Sequence, residues 1–156
     1  MKAYPAPAAS ELGFRRLAPE DVPRLTDIET QGHSHPWSEN VFKDCFGPHY
    51  AVWGIEWMDH LQGFAVLNYI VDEVHLLNIC VARGVQGRGL GRRLLRFALG
   101  QARQAGAGRC ILEVRVSNQS ARALYVSEGF EPIGVRREYY PGIQEREDAL
   151  VYALTL

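Results

Sequence analysis

Residues 79–102 constrain this chain most: an extended apolar run, Ile79-Cys80-Val81, leads through Gln86-Gly87-Arg88-Gly89-Leu90-Gly91 into an amphipathic helix. Leu90, Leu94, Phe97, Ala98 and Ala102 recur at three- and four-residue spacing, while Arg92, Arg93, Arg96 and Arg103 fill much of the remaining surface. One side therefore packs and the other stays wet. Gly89 and Gly91 would each cost about 1 kcal/mol relative to alanine inside a helix, so they suit its beginning, at a tight turn or a close approach to a ligand. Backbone N–H groups there lack intrahelical partners and sit at the positive end of the helix dipole, which makes a cradle for an anion. A phosphorylated ligand fits this arrangement; a plain turn before a basic helix is the competing reading.

The rest of the chain supplies an α/β frame. Residues 1–11 are rich in alanine and proline and are expected to fray as an N-terminal extension, leaving residues 12–156 as a single domain. Phe14 to Leu17 reads as a short strand, and a helix follows near Val22 to Gln31. A break at residues 32–36 precedes a second short helix, with Ser38 as N-cap and Trp37 and Phe42 placed for a hydrophobic staple. Two strand-like runs, 50–57 and 61–71, read as an antiparallel hairpin. Asp72 and Glu73 mark a turn before the extended run of residues 74–81. After the organising helix comes a strand at 110–116, then a helix capped by Ser117 or Asn118 and ended by Gly129. Residues 133–138 and 148–156 form late strands. Strand, helix and strand at the centre with a late hairpin predict an α/β domain of the α+β kind.

Composition narrows the function classes. With 156 residues and 47% apolar content the chain can build one substantial core. A formal charge of -1 gives no global signal for nucleic acid, and no direct nucleic-acid binding is expected. No secretory leader and no 18-residue apolar run are present, so a soluble, cytoplasmic protein without membrane association is expected. Cys45, Cys80 and Cys110 are odd in number and lack a CxxC pair, which predicts free thiols. His33, His35 and His49 have no recognisable companion set of carboxylates or thiolates, so they read as loop or surface histidines and no metal is expected.

Residues 86–91 resemble the pyrophosphate loop of the GNAT acyltransferases: a basic or glutamine residue, two residues, glycine, one residue, then glycine or alanine. The likeness extends to Ile79-Cys80-Val81 before the loop, and to Leu112-Glu113-Val114-Arg115-Val116-Ser117-Asn118 and Ala123-Leu124-Tyr125-Val126-Ser127-Glu128-Gly129-Phe130 after it. Pro36-Trp37-Ser38, Asp72-Glu73, Arg136-Arg137-Glu138-Tyr139-Tyr140-Pro141 and Arg146-Glu147-Asp148-Ala149 resemble, within that family, the bacterial ribosomal-protein-alanine N-acetyltransferases. The resemblance covers about residues 14–156. It implies the GNAT fold, a central mixed, mainly antiparallel sheet flanked by helices. It also implies acetyl-CoA as cosubstrate and transfer of acetyl to the α-amine of the N-terminal alanine of small-subunit ribosomal protein S18. Other protein N-termini or a small-molecule amine are the alternative acceptors. A nicotinamide GxGxxG and a Gly-Lys-Ser or Gly-Lys-Thr phosphate loop are both absent. The chain departs from the pattern in its N-terminal extension and in Cys80, which lies on the cofactor-facing strand and opens a route to oxidation or alkylation.

Site roles follow from the same resemblance. Glu113 matches the general base, acting through ordered water, and Tyr125 the acid that protonates the CoA sulfur. The residues alone leave an edge salt bridge with Arg115 open for Glu113, and a core position for Tyr125. Ile79, Cys80 and Val81 would bind cofactor through strand backbone; Gln86, Gly87, Arg88, Gly89, Leu90, Gly91 and Arg92 would hold its phosphates. Asn118 matches a CoA contact, and a helix cap is equally open to it. Trp37, Asp72, Glu73, Tyr139 and Tyr140 are the expected acceptor contacts, with Glu29 and Glu39 as further steering charges. Packing is the competing reading for Trp37, Tyr139 and Tyr140.

Overall fold

The computed structural model, which describes residues 5–142 and 145–156, orders the chain as β1 (Gly13–Arg16), α1 (Val22–Gly32), α2 (Glu39–Lys43), β2 (Tyr50–Trp57), β3 (His60–Ile70), β4 (Glu73–Val81), α3 (Leu90–Gln104), β5 (Arg109–Arg115), α4 (Gln119–Ser127), β6 (Glu131–Tyr140) and β7 (Glu147–Thr155). All seven strands join one sheet in the order β1-β2-β3-β4-β5-β7-β6. Every neighbouring pair is antiparallel except β4 with β5. That exception follows from α3, because two parallel strands need a crossover long enough to return the chain to the same end of the sheet.

Local chemistry sets the helix ends. Ser38 caps α2 by accepting the Val41 N–H at 3.4 Å, and Trp37 meets Phe42 at 5.3 Å between ring centroids, as the staple pattern predicts. The Asn118 side chain caps α4 by accepting the Ala121 N–H at 3.3 Å. At the other end Gly129, at φ +97°, lets the Phe130 N–H reach the Tyr125 carbonyl and its own N–H reach the Val126 carbonyl, the paired bonds of a Schellman ending. Helix α3 buries Leu90, Leu94, Leu95, Ala98, Leu99 and Ala102 against the sheet. Its Phe97 stacks on Phe14 at 4.2 Å and meets Trp53 edge-on at 5.1 Å, which ties the helix to β1 and β2.

Two irregularities of β4 shape the molecule. Its pairing with β5 runs from Glu73↔Arg109 to Leu76↔Leu112 and then stops, although β4 continues to Val81 and β5 to Arg115. Against β3, the register passes from Leu67↔Leu76 to Val66↔Asn78, so Leu77 is an extra, bulged residue at the point of separation. The sheet opens into a V between β4 and β5.

Residues 1–4 of the expected extension lie outside the described residues. The remainder lies on the surface, with Pro7 alone buried. The Pro7 carbonyl accepts from Arg93 at 3.1 Å, while Glu11 accepts from the Trp57 indole at 3.3 Å. Donors on α3 and β2, far away in sequence, hold this segment. Among the described residues, no helix is long and apolar enough to cross a membrane.

Gly63 tests the close approach of β3 to β4 beside the V. A Cβ there would lie 2.9 Å from the Cys80 carbonyl oxygen and 3.2 Å from Ile55 and Val81 methyls. Gly63→Ala should destabilise the protein by about 1–3 kcal/mol, measured by urea unfolding; an unchanged midpoint would contradict this packing.

Candidate active site

The separated ends of β4 and β5 form the walls of a cleft of about 960 Å³, within the size range of small-molecule sites. Its lining comes from four directions. Residues 76–81 of β4 and 113–115 of β5 face each other, the start of α3 closes one end, α4 brings Ala121, Leu124 and Tyr125, and the segment from Glu29 to Trp37 covers the opening with Tyr140 and Pro141. Because β4 lacks a β5 partner beyond Leu76, backbone groups on that edge of residues 77–81 are left for a ligand or solvent.

The glycine loop behaves as an anion cradle should. Gly87 and Gly89 have φ of +76° and +81°, and Gly89 is the N-cap of α3 with no side chain capping it. The N–H groups of the first helical turn, at Leu90, Gly91 and Arg92, therefore have no intrahelical acceptor. Gln86 ties the loop to the end of β4 by donating its amide to the Val81 carbonyl at 3.1 Å. Gln86, Gly87, Gly89, Leu90 and Gly91 line the cleft.

The two arginines of the loop lie elsewhere. Arg88 folds back toward the carbonyls of Gln86 and Gly87, at 3.4 and 3.5 Å. Arg92 bonds Ser127 at 2.9 Å and pairs with Glu128, which Arg96 also binds at 3.1 Å. The hydrogen bond from Arg96, opposed by burial and supported by the bond from Arg92 and the charges of both arginines, holds the Glu128 carboxyl below its ordinary value. Arg92 thus joins α3 to α4.

On β4, Ile79, Cys80 and Val81 pair with Ala65, Phe64 and Gly63 on the β3 side only. The Cys80 side chain turns away from the cleft toward α1: its thiol donates to the Ile28 carbonyl at 3.5 Å, and a Cβ on Gly32 would lie 2.3 Å from its sulfur. Only strand backbone is offered to a ligand here. Burial, and then the charge of Glu29, push the Cys80 thiol up to about 12.

Glu113 and Tyr125 line the same cleft, from β5 and α4. Glu113, 23% exposed, pairs with Arg136 of β6 at 2.9 Å, not with Arg115 as the strand pattern suggested. Arg115 is engaged by Glu147 at 3.2 Å and by the Pro141 carbonyl at 2.7 Å. Burial pushes the Tyr125 phenol up, reinforced by Cys110 and Tyr140, so it keeps its proton across the physiological range. Among the described residues its hydroxyl has no hydrogen-bond partner. A protonated phenol with an unengaged hydroxyl can give a proton to a departing anion. Asn118 caps α4 and also lines the cleft, where a ligand contact stays open to it.

Trp37 and Tyr140 line the opening, and the Arg115 guanidinium sits 4.5 Å over the Tyr140 ring. Burial and then the Glu113 charge push the Tyr140 phenol up to about 12. Tyr139 stands beside it, 4.9 Å away, against Arg136 and outside the lining. Asp72 and Glu73 are not brought to the cleft. Glu73 pairs with Arg109 at 2.6 Å and His75 at 3.4 Å at the beginning of β4, about 20 Å from Ile79 at ~3.3 Å per strand residue. Parallel strands bring ligands to their carboxyl ends, and these acids are at the other end. Glu29 is no steering charge either, being 1% exposed.

A polar cluster at the mouth was missed in the sequence. Glu29 accepts from His33 Nδ1 at 2.5 Å, from the Trp37 N–H at 2.9 Å and from the Asn78 amide at 3.1 Å. Burial pushes the Glu29 carboxyl up, but the His33 bond and charge together with the Trp37 and Asn78 bonds outweigh it and hold it below its ordinary value. The four-residue spacing of Glu29 and His33 near a helix end was a usable signal for one pair of the cluster; Asn78 gave none.

A family model described as the acetyltransferase (GNAT) family matches residues 17–130. The chain is 39% identical over 140 residues to the [ribosomal protein bS18]-alanine N-acetyltransferase of Salmonella typhimurium, covering 90% of this chain and 95% of that protein. It is 33% identical over 152 residues to the putative enzyme of that name from Bacillus subtilis, covering 94% and 97%. The crystal structure of the ribosomal-protein-S18-alanine N-acetyltransferase from Escherichia coli superposes with a TM-score of 0.88 at 37% identity, covering 92% of this chain and 93% of that one.

Two predictions test this geometry. A Cβ on Gly89 would meet nothing within 4 Å, so any cost of Gly89→Val comes from the backbone at φ +81°. That substitution should lower stability by about 1–2 kcal/mol and weaken coenzyme A binding by roughly tenfold or more, because the first-turn N–H groups lose their aim. Calorimetric titration of the folded variant measures it, and unchanged affinity would remove the loop from the site. Separately, burial raises Cys45 to about 11 and Cys80 and Cys110 to about 12. At pH 8 only about one thiol in 10³ to 10⁴ would be thiolate, so iodoacetamide should label none of the three quickly until the protein is denatured. Rapid labelling of native Cys80 would restore the reactive-cysteine expectation.

Proposed function

This chain belongs to the acetyltransferase (GNAT) family, and from that premise we propose that it transfers the acetyl group of acetyl-CoA to the α-amine of the N-terminal alanine of ribosomal protein S18. The observation that carries the reading is the cleft itself: free first-turn N–H groups at the start of α3, an unpaired β4 edge, and Glu113 and Tyr125 in one lining. The 39% identity to an S18-alanine N-acetyltransferase over 90% of the chain supports the acceptor. A cytoplasmic location, with its substrate, is part of the same proposal.

The residues divide the chemistry among them. First-turn N–H groups of α3 hold the pyrophosphate, and the free edge of β4 aligns the pantetheine arm and polarises the thioester carbonyl. Glu113, through water, accepts a proton from the acceptor nitrogen. Tyr125 protonates the departing sulfur, a role suited to a phenol whose burial keeps it neutral. Trp37 and Tyr140 flank the entrance, which restricts the acceptor to a slender chain end.

The test is a peptide beginning Ala-Arg with further basic residues, compared with its N-acetylated form and with one presenting only internal lysines. Mass spectrometry should map acetyl to the α-amine alone, and added salt should weaken capture without moving the site. Predominant lysine modification, or robust transfer only to small amines, would favour a different acceptor. Tyr125→Phe should lower kcat by roughly 10²-fold or more. Glu113→Gln should lose activity most at low pH, where the α-amine, with an ordinary pKa of about 8, is protonated, and recover in part as rising pH supplies neutral amine. Normal transfer by both folded variants would reject these roles.

A further inference from the structure

The proposed chemistry leaves one charged group of the cleft without a task. Glu29 is a carboxylate with 1% exposure in a wall of the site, and its partners come from three places: His33 at the end of its own helix, Trp37 in the following loop, and Asn78 beside the bulge of β4. These bonds fix the His33 ring. With Nδ1 at 2.5 Å from Glu29 Oε1, a buried carboxylate keeps the proton on Nδ1 and leaves the lone pair on Nε2, at the opposite edge of the ring. His33 is 32% exposed at its side chain and lines the cleft, and among the described residues Nε2 has no hydrogen-bond partner.

We propose that His33 is a second proton acceptor for the acceptor amine, with Glu29 as the positioning residue that orients it; the inference rests on the N-terminal acetylation reading above. The stoichiometry removes two protons from the nitrogen, and each needs a path. An α-ammonium group carries three N–H protons and the amide product keeps one. The first proton leaves before the nitrogen lone pair can attack the thioester carbon, and Nε2 of His33 takes it, forming an imidazolium beside the Glu29 carboxylate. The nitrogen then forms its bond to carbon. As the C–S bond breaks, the second proton passes through water to Glu113 and the Tyr125 phenol protonates the sulfur. Return of the Glu113 proton to Tyr125 and loss of the His33 proton to solvent close the cycle, with one proton on the thiol and one released.

The surroundings suit this role. Facing the ring are Glu29 from α1 and the Cys80 sulfur from β4; one carboxylate oxygen, the sulfur and one ring nitrogen of His33 all lie within 4.8 Å of one another. Across the cleft stand Glu113 and Arg115 of β5, Tyr125 of α4 and Tyr140 of β6, with His35 in the adjoining loop. Glu29 is the anion placed to stabilise an imidazolium, and Cys80 stays a neutral thiol at physiological pH because burial raises it to about 12.

The experiment is a pH series on His33→Gln with the alanine-starting peptide, with Glu29→Gln beside it. His33→Gln should bind acetyl-CoA with unchanged affinity by calorimetry and lose roughly 10²-fold in kcat/KM near pH 6.5. The loss should shrink by roughly tenfold as the pH passes the ordinary α-amine value of about 8, because a neutral amine arrives with one proton fewer to give. Imidazole in the buffer should partly restore His33→Ala. Glu29→Gln should share the pattern, but it also disturbs the buried cluster, so the histidine variants alone decide. A wild-type kcat/KM in His33→Gln, or a deficit that does not change with pH, would overturn the proposal. If the wild-type protein itself leaves the peptide unmodified, the acceptor reading fails instead, and the His33 comparison is made on the amine that the wild type does acetylate.

Discussion

The molecule depends on a ladder that stops. Beyond Leu76↔Leu112, β4 and β5 keep their extended backbones and give up their mutual hydrogen bonds. Unpaired backbone groups in a dry interior cost about 1–3 kcal/mol each, so the arrangement is tolerable only where a ligand or water meets them. Each half is held from its outer side, β4 by β3 and β5 by β7, and this lets the inner edges part without unravelling. The bulge at Leu77 coincides with the parting and turns the β4 edge toward the space between. The start of α3 then lies at the open end of the V, where its free N–H groups and the free strand edge can serve one elongated ligand.

The far side of the cleft is organised by charge. Removing one partner of a buried carboxylate typically costs about 3–5 kcal/mol, and Glu29 is tolerated because N–H donors from His33, Trp37 and Asn78 meet its two oxygens. In return it fastens the segment between α1 and α2 to β4 at the residue after the bulge. The opposite rim is held similarly: Glu147 accepts from Arg115 and from the Ser117 N–H at 2.9 Å, while Arg115 also holds the Pro141 carbonyl. Both sides of the entrance are thus anchored to the two strands that diverge.

Much of this was legible in the chain itself, because the signals were local. The glycines that reach φ of +76° and +81°, the amphipathic face of α3, the Ser38 and Asn118 caps and the Gly129 ending are written within a few residues of where they act. The position of Glu113 in an apolar strand and of Tyr125 two turns into α4 followed from the same local periodicities. What tertiary structure alone decided was every partnership across the sheet. Arg92 stands beside the glycine loop in the chain, and the fold brings Glu128 of α4 within its reach; Glu73 looked like an acceptor contact, and β4 places it at the end of the parallel pair away from the cleft. Glu113 pairs with Arg136 of β6, two strands away across β7, and not with its strand neighbour Arg115. The Glu29 cluster joins residues 49 positions apart. Periodicity records which face of an element is buried; it holds no information about which distant charge will be opposite, since that depends on strand order and register, and those are settled only when the sheet closes.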